Sequence, residues 1–397
     1  MSPRKGGQEN RRGAKALCLI LVFCLTLPLF ACAAPAQDPE DYAFGEEFQG
    51  FPEGHPPVGI YLQVSGAGAY MEGRETMLPP DAPALVDIIY LAFARFDGEE
   101  ILFPDVPAEL REYQKAGVSL ILSFSANAGD SSARLREIAR DPDRTRDFAE
   151  KLAEGAKAAG LDGIDLDWEA IPGGASPDPA GMNALTAALR QAGGEDFLLS
   201  CAVPCSPWGL GTDRYDFPAL AETVDYFNLM SYDLGKENRA THLAPLWSSK
   251  EDGGWELGAA AGAGTLLKAG IKPSQILLGC AAYGRAYRCE EDAVPGAAGH
   301  PVKLDLPGAY DSGVVQGKGL EALLADPAWT EKSERNDRGF VASYLTNGKL
   351  FVSYDSTASY REKYDFACRA GCGLMLWSLT QDTGDRFLSV LREKNNA

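Results

Sequence analysis

A chain of 397 residues that is 45% hydrophobic, with 43 Gly and 25 Pro, is folded, rich in turns and long enough to bury a sizeable core. Its formal charge of −19 argues against nucleic acid and anionic membrane surfaces as partners, because phosphate-bearing surfaces select clustered cations.

Arg4, Lys5, Arg11, Arg12 and Lys15 precede the apolar run Leu17 to Ala34, the pattern of an export signal. A membrane-spanning helix fits less well, since Pro28 interrupts the run and "APAQDPED" follows without a basic flank. "LFAC", Leu29 to Cys32, resembles the lipobox of bacterial lipoproteins, which would place a diacyl anchor on Cys32; a cut after Ala33 or Ala36 is the alternative. Residues 1–32 are therefore expected to be a lipoprotein-type signal and 33–54 a linker. The folded domain, 55–397, is expected outside the cytoplasm as a monomer, tethered to a bacterial membrane or secreted. Without residues 1–32 the chain has 32 Lys+Arg against 55 Asp+Glu, a charge of −23. Six cysteines remain, Cys201, Cys205, Cys280, Cys289, Cys368 and Cys372, an even number that permits disulfides in an exported chain and leaves their pairing open.

Eight β-type runs follow: 58–66, 86–98, 118–127, 161–169, 197–208, 224–233, 275–287 and 373–382. Helical patterns lie between them, clearest over 144–160, where Phe148, Leu152 and Ala156 repeat every four positions, and over 180–193. Near-continuous apolar strands alternating with helices predict a parallel sheet, and eight such units predict an α/β fold, a (β/α)8 TIM barrel. A doubly wound open sheet is disfavoured, because no Gly-rich loop follows the first strand. The stretch of about 288–345 breaks the rhythm and contains an Asn347-Gly348 hairpin signal, so a small α+β insertion is expected before the last strand.

The fourth run, "LDGIDLDWEA" (161–170), is the informative one. With a period of two, Asp165, Asp167 and Glu169 share one face while Ile164, Leu166 and Trp168 take the other. Those apolar residues need a buried outer face, which turns the acids into the barrel, with Glu169 at the C-terminal rim where active sites of such barrels lie. Stacked carboxyls in a low-dielectric interior cannot all ionise, so a proton is shared and the outermost acid can stay protonated. A calcium loop is ruled out, since Ala170 stands where Gly is needed and Ser176 where a bidentate Glu is needed. Magnesium would require phosphate-binding partners that are not found. Only His55, His242 and His300 exist, and Cys201/Cys205 and Cys368/Cys372 are four apart, so no metal or other cofactor is expected.

"DGIDLDWE", Asp162 to Glu169, resembles the D-x-x-D-x-D-x-E signature of glycoside hydrolase family 18, the chitinases and their relatives. "YLAFA", "LILSFS", "NLMSYD", "THLAPLW", "YGRAY" and "GLMLWSLTQD" fall in the family's order across roughly 57–390. The resemblance implies a TIM barrel and a substrate-assisted, retaining hydrolysis of β-1,4-linked N-acetylglucosamine glycans, such as chitin oligosaccharides, an N-glycan core or peptidoglycan. It implies Glu169 as general acid, Asp167 as support for the substrate's 2-acetamido group, Asp165 as Asp167's proton partner, and Tyr232 as a hydroxyl donor to the acetamido oxygen. It further implies sugar contacts for Asp233, Tyr61, Phe93, Met230 and Arg285, and an apolar floor at Trp377. Arg285 is equally readable as a partner for barrel acids, and Trp208 and Trp247 as sugar platforms or as loop packing.

Two departures stand out. "SFSAN", Ser123 to Asn127, lacks the family's Gly pair after the third strand, and "GIYLQVSGAGAY" matches the first strand loosely. A non-hydrolytic sugar-binding protein on the same scaffold is the main rival, and the acid Glu169 speaks against it. A metal-assisted hydrolase is a further rival that EDTA would test. A serine hydrolase lacks support, with no G-x-S-x-G elbow.

Overall fold

The eight strand-forming runs close on one another in a computed structural model that describes residues 51, 54–64, 78–127, 130–169, 176–206, 209–249, 257–335 and 339–396. All of these fall within one unit, Tyr42–Ala397. The signal segment, Cys32, the linker up to residue 50, and Trp208 lie outside the described residues.

In chain order the strands are β1 (Val58–Gln63), β2 (Ile88–Asp97), β3 (Glu100–Leu102), β4 (Ser119–Ser125), β5 (Gly163–Asp167), β6 (Leu198–Pro204), β7 (Tyr226–Met230) and β8 (Ile276–Ala281). Then come β9 (Gly284–Cys289), β10 (Gly299–Pro301), β11 (Val314–Val315), β12 (Thr330–Arg335), β13 (Val341–Asn347), β14 (Leu350–Tyr354) and β15 (Gly373–Trp377). Strands β1, β2, β4, β5, β6, β7, β8 and β15 pair in parallel in that order, and β15 returns to β1. This is a closed (β/α)8 TIM barrel, as the alternation predicts.

The helices that cover it follow their sequence signals. Helix α1 (Leu110–Lys115) is followed by α2 (Ser131–Ala139), α3 (Pro142–Ala158), α4 (Pro179–Gly193), α5 (Phe217–Leu220) and α6 (Ala259–Lys268). Helix α3 starts where Asp141 accepts hydrogen bonds from the amides of Asp143 and Arg144, with Pro142 in the first turn, where no amide is missed. It buries Phe148, Leu152 and Ala156, one stripe on a period of about four residues. These pack into the core that also holds Ile164, Leu166 and Trp168, all three without solvent exposure. Each such large apolar side chain contributes about 1.5–3 kcal/mol of transfer free energy, so the outward face of β5 is firmly fixed. The Trp168 indole donates to Ser132 Oγ at 2.8 Å, leaving the ring no polar reason to turn.

A second sheet, in the order β10-β9-β14-β13-β12 with β11 on β9, interrupts the barrel between β8 and β15. It runs from Gly284 to Tyr354, on either side of the irregular 288–345 stretch, because β9 and β14 pair with each other. It carries α7 (Gly317–Ala325) and precedes α8 (Thr357–Ala370) and α9 (Arg386–Asn395). The hairpin turn falls one residue later than the Asn-Gly signal centres it: Asn347 pairs with Leu350, and Gly348, at φ 62°, takes the positive-φ corner. Val314 of β11 packs against the same buried cluster, Leu243, Ala244, Ala281 and Tyr283, as Tyr232 and Trp377 do, so this lobe reaches the barrel mouth.

No disulfide joins the six described cysteines, which are all free thiols. Strand β7 separates Cys201 on β6 from Cys280 on β8, and Cys205 Sγ donates to the Gly258 carbonyl at 3.2 Å. Burial pushes Cys205, Cys280 and Cys372 up to about 12, so they are unreactive core groups near neutrality.

Candidate active site

Asp165 points into the barrel between Ser123 on β4 and Ser200 on β6, which are its register partners. Ser123 Oγ donates to Oδ2 at 2.7 Å and Ser200 Oγ to Oδ1 at 2.6 Å. The Tyr61 hydroxyl adds a bond to Oδ2 at 2.9 Å and Asn228 Nδ2 one to Oδ1 at 3.2 Å. Asn228 also donates to the Tyr61 hydroxyl at 2.8 Å and accepts from Tyr90 at 3.2 Å, while the rings of Tyr61 and Tyr90 stack 4.4 Å apart. Burial raises the Asp165 carboxyl above its usual range, and the four donors oppose that rise.

Asp167 sits one inward step nearer the rim and is also buried. Its carboxyl is raised well above normal, first by burial and then by the charges of Glu169 and Asp165. Glu169 follows the end of β5, half-buried at the mouth. Burial raises it too, opposed by a hydrogen bond from Asn127 and reinforced by Asp233. Asn127 Nδ2 lies 2.9 Å from Glu169 Oε1 and 3.5 Å from Asp167 Oδ2. Burial, followed by the neighbouring carboxylates, also holds the Tyr232 phenol well above its normal range, so it stays a hydroxyl donor.

Asp233, on the cleft wall at the mouth, adopts φ 55°, a left-handed conformation that a short polar side chain tolerates and that gathers at working sites. Burial against the site wall raises its carboxyl, while a Tyr283 hydrogen bond and the Arg285 charge pull it down. Arg285 itself, on β9, binds Glu237 with Nη2 2.6 Å from Oε1.

Trp377 closes the end of β15, with Phe93 stacked on it at 5.5 Å and Tyr61 tilted beneath at 5.3 Å. These rings, with Asn127, Asp167, Glu169, Met230, Tyr232 and Asp233, line a cavity of about 220 Å³. A neighbouring cavity of about 340 Å³ shares Glu169, Met230, Tyr232 and Asp233 and extends past Pro204, Ser206, Lys236 and Leu257. Glu169 thus stands between two halves of one cleft. A carboxyl kept protonated there can give a proton to a ligand oxygen lying across it.

Of the residues singled out in the sequence, Tyr61, Phe93, Asp167, Glu169, Met230, Tyr232, Asp233 and Trp377 come together around this cavity, and Asp165 lies below them. Arg285 stands off on β9 and acts on Asp233 through its charge. Trp247 belongs to the core, against Phe340 at 5.9 Å and Phe366 at 6.4 Å, and so is no sugar platform. Sequence reasoning missed Asn127, Ser200, Asn228 and Tyr90. Ser200 and Asn228 share the inward parity of their strands, which is a usable signal only once the strand register is known. Among the described residues no group of three or more His, Cys, Asp or Glu side chains converges to hold a metal ion.

The model of the family described as "Glycosyl hydrolases family 18" matches residues 64–382. Chitotriosidase-1 of Mus musculus is 29% identical over 251 residues, covering 59% of this chain and 52% of its own length. A probable endochitinase of Caenorhabditis elegans is 27% identical over 355 residues, covering 79% and 54%. The chain thus spans about half the length of these curated relatives. In three dimensions it is similar to the Group IV chitinase of Ostrinia furnacalis, with a TM-score of 0.70 at 19% identity over 86% of this chain and 100% of that one. A chitinase of Rhizomucor miehei gives 0.70 at 24% identity over 85% and 100%. At these identities the structural likeness concerns the fold.

Proposed function

The chain belongs to glycosyl hydrolase family 18, and from that premise we propose that it hydrolyses β-1,4 bonds of chitin oligosaccharides with retention of configuration, using the substrate's own acetamido group as nucleophile. The observation that carries this reading is Glu169, half-buried between the two halves of the cleft and above the buried Asp167, with its carboxyl raised by burial.

In the reaction, a sugar lies on Trp377, its C–H face against the ring, and the next unit extends toward Lys236. Glu169 gives its proton to the glycosidic oxygen as the bond to the anomeric carbon breaks. The acetamido carbonyl oxygen of the same sugar bonds to that carbon, forming an oxazolinium ion. Asp167 accepts the acetamido N–H and offsets the positive charge, with Asp165 beneath it sharing the pair's proton. Tyr232 donates its hydroxyl to the acetamido oxygen, and Asp233, Tyr61, Phe93 and Met230 shape the pocket. Water then attacks the anomeric carbon from the vacated side as the bond between that carbon and the acetamido oxygen breaks, which restores the acetamido group, and the water's proton passes to the Glu169 carboxylate, which restores the acid. The raised carboxyls of Asp167 and Glu169 support this scheme, because the acid must hold a proton near neutrality. We further propose, on the basic and apolar segment at residues 4–34, that the protein is exported and either tethered through Cys32 or released.

The test is a fluorogenic panel of chitobiose, chitotriose and high-mannose N-glycan conjugates, with wild type and Glu169→Gln. Release from chito-oligosaccharides that falls by about 10²–10⁴-fold in the variant, with sugar binding retained, supports the proposal. Release from the N-glycan alone would replace it with an endo-β-N-acetylglucosaminidase, and binding without any release with a lectin-like role.

A further inference from the structure

Asn127 occupies a place that the family resemblance assigns to no catalytic group, two residues beyond the end of β4. Its position is set by the main chain, because the Ala126 amide donates to the Asp167 carbonyl at 2.9 Å and so fastens this turn to the end of β5. The side-chain amide then sits between two carboxyl groups, 2.9 Å from Glu169 Oε1 and 3.5 Å from Asp167 Oδ2. An amide nitrogen donates and cannot accept, so the oxygen it touches is held as an acceptor.

We propose that Asn127 is a positioning residue for Glu169: its amide occupies Oε1 and thereby leaves Oε2 as the oxygen that carries the proton to the glycosidic bond. The role rests on the glycosidase reading above. It also explains why a neutral donor stands here. A cation at this distance would drive the carboxyl to its ionised form and remove the acid, whereas an amide fixes the orientation with a smaller pull in the same direction. The other charged and titratable groups around Glu169 are Asp167 on β5, Tyr232 and Asp233 after β7, Tyr215 after β6, and Lys236 on the wall of the same cavity. Of these, only Asp167 also meets the Asn127 amide, at the longer 3.5 Å, so a change at Asn127 acts first on Glu169.

The experiment compares wild type, Asn127→Ala and Asn127→Asp. Asn127 is exposed at the rim, so both variants keep the fold, which a thermal melt verifies. The first readout is the titration of Glu169 by carboxyl-carbon NMR on glutamate-labelled protein, assigned with Glu169→Gln, and it needs no turnover. Loss of the donor moves the Glu169 titration to higher pH by about half to one unit in Asn127→Ala, and further in Asn127→Asp, where an anion replaces the donor. The second readout is kinetics on chitotriose: kcat falls about 10-fold with KM changed less, and the alkaline limb of kcat/KM shifts upward by the same amount as the titration. A Glu169 titration that stays in place or moves down in both variants overturns the proposal, whatever the rates do. Wild-type protein that is silent on every chito-oligosaccharide would sink the glycosidase reading, while the titration would still decide whether Asn127 holds Glu169.

Discussion

Tyr61 donates its hydroxyl to Asp165 at 2.9 Å, tying the first strand of the barrel to the acidic strand 104 residues later. That bond favours the ionised carboxyl against the pull of burial. In Tyr61→Phe the Asp165 carboxyl therefore rises further. The acid limb of kcat moves to higher pH and kcat falls by about 10-fold, read from a pH profile on chitotriose. An unchanged limb would show that Asp165 does not titrate with the reaction.

Asp167 is held back from ionising by burial and by two acidic neighbours, so the folded chain binds its proton more tightly than the unfolded chain. The stability this group contributes is complete below the ordinary aspartate range and is lost as pH climbs toward the raised value. Asp167→Asn cannot ionise and escapes that loss. Its Tm exceeds wild type by about 2 °C or more at about pH 8 and matches it at about pH 3, while turnover drops by about 100-fold or more. Calorimetry at the two pH values checks the sign.

Gly163 opens β5 opposite Leu198 of β6, and a Cβ on it would lie 2.3 Å from the Leu198 carbonyl oxygen. That oxygen belongs to the main chain and cannot swing away. Gly163→Ala forces the strands apart two residues before Asp165, at a cost of about 2–3 kcal/mol in urea unfolding. Activity falls with it, because the Ser200 bond to Asp165 crosses the same pair of strands.

Lys363 and Asp355 form an ion pair 2.5 Å apart with both side chains out of solvent, and Asp355 also accepts from the Ala281 amide at the end of β8. Removing only the cation strands a buried carboxylate. Lys363→Met is expected to lose about 3–5 kcal/mol of stability in urea, and Lys363→Met combined with Asp355→Leu to recover most of it. A double variant no better than the single one would mean that packing, rather than charge, holds this joint.

The acidic strand was legible because its code is local. Alternation along "GIDLDWE" by itself separates the apolar residues from the acids, and the bulk of Ile164, Leu166 and Trp168 decides which set faces the helices. Asn127 carries no such mark: a polar residue closing the 118–127 run shows no partner until the neighbouring strand is known to end beside it. Trp247 failed as a site candidate for the complementary reason, since a loop position near the barrel mouth does not reveal that Phe340 and Phe366 lie beneath.

The sequence by itself therefore determined the eight-fold alternation, the parallel barrel, the inward turn of Asp165, Asp167 and Glu169, and the family they resemble. These follow from periods of two and about four residues and from short motifs, which act over one element at a time. Only the tertiary structure decided what each carboxyl meets. Asp165 takes bonds from Tyr61, Ser123, Ser200 and Asn228, and Glu169 from Asn127, across separations of 35 to 104 residues. Those neighbours depend on strand register and on the closure of β15 onto β1, which are set by the packing of the whole barrel at once.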